Sequence, residues 1–71
     1  MRVVYDLETD TLCLLFREGP VAESDEIREG IIIDYDREGR VVSLEILKAS
    51  EHVSDPKAIA YELKSTKAAP L

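Results

Sequence analysis

The stretch IREGIIIDYDREGRVVSLEIL, residues 27–47, decides the fold, because it reads as two strands around one tight turn. Ile and Tyr in the first arm, Ile27 to Asp36, and Val and Ile in the second, Arg40 to Leu47, are residues that favour strands. Asp36 and Gly39 stand at the first and fourth positions of a type I turn, and Gly39 suits a left-handed conformation. The sequence therefore predicts an antiparallel hairpin centred on residues 36–39.

Regular pairing outward from this turn assigns the side chains to two faces of the sheet. One predicted face carries the cross-strand pairs Tyr35 with Val41, Ile33 with Ser43, and Ile31 with Glu45. The other carries Asp34 with Val42, Ile32 with Leu44, and Gly30 with Ile46. Neither predicted face is wholly polar.

Two further elements flank this hairpin in the sequence. Arg2 to Asp6 and Thr11 to Arg17 form a predicted first hairpin, joined by the polar residues 7–10. Ser54-Asp55-Pro56 has the residues that begin a helix, which is predicted over residues 55–65, with a frayed tail at 66–71. The expected fold class is α+β. A small antiparallel sheet of about four strands, residues 2–48, is followed by one C-terminal helix in a single domain, residues 1–71.

Continuous apolar runs indicate that both faces of the sheet are covered. Leu12 to Phe16 and Ile31 to Ile33 lack the alternation expected of a sheet with one wet face. One short helix covers only one face, so the other is expected to meet a second copy, as a homodimer, or another protein. The alternative is that residues 18–29 fold over that face as a lid. We favour the interface, because that segment is rich in Glu and Asp; the candidate interface residues are Ile31, Ile33, Tyr35, Val41 and Leu47.

Charge and composition narrow the classes of partner and location. Residues 1–45 hold 12 acids and 5 bases, whereas residues 46–71 hold 3 acids and 4 bases. An acidic surface repels phosphate backbones, so no nucleic-acid partner is expected. No apolar run is long enough for a membrane span, so no membrane partner is expected either. The single cysteine, Cys13, excludes an internal disulfide, and a cytoplasmic location is predicted.

One acidic pattern matches the spacing of a calcium-binding loop. The residues from Asp34 to Gly39, followed by Glu45, place carboxylates at alternate positions around a turn, as a hard cation requires. Such loops join two helices, however, whereas this segment is rich in strand-forming residues, and a hairpin turn explains the same Asp and Gly. The metal candidates are Asp34, Asp36, Glu38 and Glu45. No cofactor is predicted, and no catalytic residue, since Cys13 reads as a small buried hydrophobe and His52 as a solvated side chain.

Several residue blocks together resemble a known family. They are Tyr5-Asp6, Asp10-x-Leu12, Glu23-Ser24, Gly30, Asp34-Tyr35-Asp36, Gly39 and Val42 to Ser50 without Lys48. Their spacing is similar to that of the short bacterial and archaeal proteins called domain of unknown function 2283, over residues 1 to about 53. Ser43 departs from that family, in which Gly is common at this place. The resemblance implies a small α+β fold and no established activity, substrate or cofactor.

The sequence as a whole favours a non-catalytic interaction protein. It is expected to self-associate through a sheet face and to offer an acidic surface to a basic protein partner such as a small toxin. The alternative is a small divalent-metal module, or a metal-dependent enzyme, that uses the acidic hairpin. A domain whose only role is self-assembly remains a third possibility.

Overall fold

The computed structural model describes residues 1–65 and shows one antiparallel sheet with a short helix. The strands are β1 (Arg2–Asp6), β2 (Thr11–Leu15), β3 (Glu23–Arg28), β4 (Ile31–Tyr35) and β5 (Val41–Leu47), and the helix is α1 (Ala49–His52). The strands lie in the order β1-β2-β5-β4-β3. The α+β architecture is thus confirmed, while the tail predicted at 66–71 lies outside the described residues. No helix within residues 1–65 has the length and apolar character that crossing a membrane requires.

The sheet has five strands, so the prediction of about four is wrong. The predicted strand from Ile27 to Asp36 is broken at Gly30, whose φ of 81° belongs to the left-handed region. The Gly30 N–H donates to the Glu26 carboxylate at 3.0 Å, which fixes this turn. Residues 23–26, for which no strand was predicted, join Ile27 and Arg28 in β3, whose six residues are all exposed. This segment extends the sheet sideways.

The turn between β4 and β5 has the predicted geometry. The Gly39 N–H donates to the Asp36 carbonyl at 3.0 Å, which is the hydrogen bond of a four-residue turn. Gly39 has a φ of 82°, where a Cβ would be strained. The Asp36 side chain accepts further bonds from the backbone N–H groups of Glu38 and Arg40 at 3.0 and 2.8 Å.

The register of this hairpin changes one pair beyond the turn. Tyr35 lies opposite Val41 as predicted, but Asp34 lies opposite Ser43, so the strand bulges at Val42. A bulge of one residue moves all later side chains of one strand to the other face. The predicted pairs beyond Tyr35–Val41 are therefore wrong, and the observed pairs are Asp34–Ser43, Ile33–Leu44, Ile32–Glu45 and Ile31–Ile46.

The helix predicted over residues 55–65 is also wrong. The chain turns at Lys48, which has a φ of 51°, into the single turn of α1. Beyond His52 the described residues contain no helix. A helix of about ten residues needs a packing partner to be stable in water. Here Ile59, Tyr61 and Leu63, which would supply its apolar side, are 71, 79 and 76% exposed.

The described chain has a very small core. Only Val42, at 3% exposure, and Ala49, at 0%, are buried apolar residues within residues 1–65. The accessible area is 6081 Å², whereas a compact monomer of 8.0 kDa exposes about 4,450 Å². The radius of gyration is 14.5 Å, against about 11 Å for a compact chain of this length. Part of both excesses comes from the extended segment after α1. No large side chain within residues 1–65 is fully buried, so the apolar surface of the sheet is only partly covered.

Candidate functional site

One face of the sheet, the apolar face, gathers large side chains from four strands. Cross-strand partners in an antiparallel sheet share a face, so the observed pairing fixes its membership. The members are half-buried and comprise Val3, Tyr5, Leu12, Leu14, Ile31, Ile33, Tyr35, Leu44 and Ile46. The bulge at Val42 produces this surface, because it moves Leu44 and Ile46 to the side of Ile31 and Ile33.

The segment after α1 covers one end of the apolar face. Val53 and Pro56 lie across Val3 and Leu14, and they enclose with them a groove of about 520 Å³. Most of the residues that line this groove are apolar. The remaining part of the apolar face, around β4 and β5, does not line this groove.

Four of the five residues predicted for an interface lie on one side of the sheet. Ile31, Ile33 and Tyr35 belong to the apolar face, and Val41, 37% exposed, pairs with Tyr35. The fifth, Leu47, pairs with Thr11 and lies on the opposite face. Six further members of the apolar face, two each from β1, β2 and β5, were not among the predicted interface residues. The run from Leu12 to Leu14 was a usable signal for two of them, whereas Leu44 and Ile46 required knowledge of the bulge.

The opposite face carries two neighbouring acids, Asp34 and Glu45, which we call the acid pair. Asp34 is only 5% exposed, and its two carboxylate oxygens accept hydroxyl hydrogen bonds from Ser24 and Ser43, each at 2.6 Å. Although burial acts in the other direction, hydrogen bonds with Glu45, Ser24 and Ser43 hold the pKa of Asp34 below its usual value. The hydrogen bond with Asp34, together with burial and charge repulsion, raises the pKa of Glu45.

The cysteine lies beside this acid pair. Cys13 is directly opposite Glu45 in the β2–β5 ladder. Burial, followed by the negative charges of Glu45 and Asp34, raises the pKa of the thiol. Only a thiolate is a good nucleophile, so this environment makes Cys13 a poor one. Cys13 and the two acids therefore lie side by side on this face of the sheet.

The other two metal candidates, Asp36 and Glu38, are engaged by arginines at the β4–β5 turn. The Arg40 side chain donates to Asp36 at 2.9 Å and lies 3.5 Å from Glu38, and Arg17 lies 3.8 Å from Asp36. Against the effect of burial, the hydrogen bonds from Arg40 lower the pKa of Asp36. In the part of the chain that the structure describes, no three His, Cys, Asp or Glu side chains form a group that could hold a metal ion.

Comparisons with known proteins give a family but no activity. A family model described as "Protein of unknown function (DUF2283)" matches residues 2–50. The chain is similar to an uncharacterised protein of Methanocaldococcus jannaschii, with 39% identity over 51 residues. That match covers 72% of this chain and 43% of the relative, so the chain spans less than half the length of this relative. No solved structure matches significantly.

Proposed function

Because this chain belongs to the DUF2283 family of proteins of unknown function, we propose a role from its own residues: a non-catalytic interaction module that forms a homodimer through the apolar face. The observation that carries this proposal is the size of the apolar face relative to the core. Nine half-buried side chains lie on one face, while only Val42 and Ala49 are buried apolar residues within residues 1–65.

The solvent-accessible area of the chain supports a second copy as the molecule that covers the apolar face. The accessible area of 6081 Å² exceeds that of a compact monomer by about 1,600 Å². Part of this excess belongs to the segment that follows α1. A standard interface buries about 800 Å² on each partner, and obligate homodimers bury more. A self-complementary patch of half-buried apolar side chains suits two-fold pairing.

An acidic edge of the sheet suits a basic protein. Strand β3, at one edge of the sheet, is fully exposed and carries Glu23, Asp25 and Glu26 against one base, Arg28. At this edge Glu23 and Asp25 lie beside Tyr35 and Ile33, at the border of the apolar face, whereas Glu26 lies on the opposite face. The negative electrostatic potential of these acids attracts a positively charged protein and speeds its association. We extend the proposal to such a partner, for example a small toxin, and to a cytoplasmic location, which is consistent with the free Cys13. Replacing the three β3 acids by their amides should weaken capture of that partner at low salt.

The homodimer is tested by the solution mass of the full chain, measured by light scattering over a range of concentrations. We expect about twice the chain mass of 8.0 kDa. Ile33→Glu places a charge in the middle of the apolar face and should give a monomer, since an unpaired buried charge is costly. Leu47→Glu is the matched control, because Leu47 lies on the opposite face and is 39% exposed. Circular dichroism establishes that both variants remain folded.

Two results would count against this proposal. A wild-type chain that remains monomeric at every concentration would show that no second copy covers the apolar face. Equal loss of dimer in both variants would show that the contact is not specific to that face.

A further inference from the structure

The last described segment of the chain has the pattern of a strand but no strand partner within residues 1–65. Residues 59–63, the C-terminal arm, alternate large apolar residues with Ala60 and Glu62. The apolar members Ile59, Tyr61 and Leu63 are 71, 79 and 76% exposed. Alternation over five residues is typical of a half-buried strand. Three large apolar side chains exposed at alternate positions therefore point to a sheet that the arm can join.

The outer edge of β1 offers a place of matching length. β1 is the first strand in the order β1-β2-β5-β4-β3, so within residues 1–65 it has a sheet partner on one side only. It contains five residues, as the arm does, and no proline. Its Val3 and Tyr5 lie on the apolar face, whereas Arg2, Val4 and Asp6 lie on the opposite face. A strand added here would extend the apolar face sideways.

We propose that in the homodimer the C-terminal arm of each copy pairs antiparallel with β1 of the other copy, as a sixth strand. The proposal rests on the homodimer proposed above and assigns one segment to its interface. Alternation and charge select one register, in which Ile59 lies opposite Tyr5 and Tyr61 lies opposite Val3. Glu62 then lies opposite Arg2, and opposite charges at such a position are favourable. The neighbouring antiparallel register that shifts the arm by two residues places Lys64 opposite Arg2, which is unfavourable.

We assign this edge to the arm of a second copy because the chain's own arm forms no strand with it, since within residues 1–65 only β2 lies beside β1 in the sheet. Pro56, Ala58 and the first residue of the arm, Ile59, line the groove with Val3 and Tyr5 of the same chain. Even so, the apolar side chains of the arm, that of Ile59 included, are more than 70% exposed. An arm paired with its own β1 would cover these side chains against the sheet. Exchange of an identical segment between copies is a common route to dimers.

The register is tested by a disulfide between two positions that it places opposite each other. In the full chain with Cys13→Ser, Val3→Cys and Tyr61→Cys should form interchain disulfides on mild oxidation. Non-reducing electrophoresis should then show a species of twice the chain mass. The control combines Val3→Cys with Glu62→Cys, which the register places on opposite faces, and should form little of this species. A cross-strand disulfide requires Cβ atoms about 4 Å apart, so the two pairs should differ strongly.

Each outcome has a distinct meaning. An intrachain disulfide would show that the arm pairs with its own β1 and would overturn the proposal. Absence of any disulfide in a chain that light scattering shows to be a dimer would overturn the arm exchange while leaving the homodimer intact. A monomeric wild-type chain would remove both. A mixture of isotope-labelled and unlabelled wild-type chains gives an independent test: intermolecular nuclear Overhauser effects should join Ile59 to Tyr5, and their absence in a dimer would contradict the exchange.

Discussion

The carboxylate of Asp10 accepts two hydrogen bonds from Ser50, from the backbone N–H at 3.0 Å and from the hydroxyl at 2.6 Å. The Tyr5 hydroxyl donates a third at 2.6 Å. Asp10 itself has a φ of 54°, a conformation that Asp and Asn tolerate better than most residues. This carboxylate therefore joins the β1–β2 turn to α1 and fixes the direction in which the chain leaves the sheet.

We predict that Asp10→Asn lowers stability at neutral pH and much less in acid. The hydrogen bonds from Ser50 and then Tyr5 hold the pKa of Asp10 below its usual value. A lowered folded pKa gives stability that is present above the unfolded pKa of about 3.9 and is lost as the pH falls through the folded pKa. Urea unfolding at pH 7 and pH 3 should therefore show a larger loss at pH 7. An equal loss at both pH values would contradict the role of the charge, and Asp25→Asn on exposed β3 is the control.

The bulge predicts a sharp difference between two neighbouring valines. Val42 is 3% exposed, whereas Val41 is 37% exposed. Regular pairing would place the two side chains on opposite faces of the sheet and would not predict this difference in burial. Val42→Ala should lower the free energy of unfolding by about 2 kcal/mol, because it removes two buried methyl groups and leaves a cavity. Val41→Ala should cost less than half as much. Urea unfolding at a fixed protein concentration measures both, and equal losses would contradict the observed register.

The parts of the fold that the sequence predicted are those that local chemistry determines. The β1–β2 hairpin and the turn from Asp36 to Gly39 follow from turn residues and strand-forming side chains over a few positions. No turn residue or other local sequence pattern predicts the bulge at Val42. The bulge places Ser43 opposite Asp34, where the hydroxyl donates to a buried carboxylate, and this gain depends on β3 and β4 being in place.

Strand β3 and the helix expected over residues 55–65 both depend on packing partners elsewhere in the fold. The residues from Glu23 to Arg28 are mostly charged, and they form β3 only because β4 supplies a ladder of backbone partners. Residues 55–65 satisfy the rules for a helix start, but a short helix requires a surface on which to pack. Membership of the apolar face could be predicted for β2 and β4, whose apolar runs are continuous, and not for β5, whose faces depend on the bulge.

We expect calorimetric titration with calcium, magnesium or manganese to show no binding at millimolar metal. The spacing from Asp34 to Glu45 fits a cation loop in sequence, but the Asp36 oxygens already accept hydrogen bonds from Arg40. The Asp34 oxygens accept hydrogen bonds from Ser24 and Ser43. A cation would have to displace these donors. Saturable heat that disappears in Asp36→Asn would contradict this prediction and would support the metal module.

Finally, we predict that Glu45→Gln stabilises the protein at neutral pH and has little effect at pH 4. The hydrogen bond with Asp34 raises the pKa of Glu45, so its stabilising contribution is present below the unfolded pKa of about 4.3 and is lost as the pH rises through the folded value. A Gln amide donates to Asp34 at every pH, which should add about 0.5–1.5 kcal/mol at pH 7. Glu38→Gln, which removes an exposed carboxylate from Arg40, is the control and should not stabilise. Urea unfolding at both pH values, at one protein concentration, measures the effect. A destabilised Glu45→Gln at pH 7 would show that the ionised carboxylate is the form that the acid pair requires.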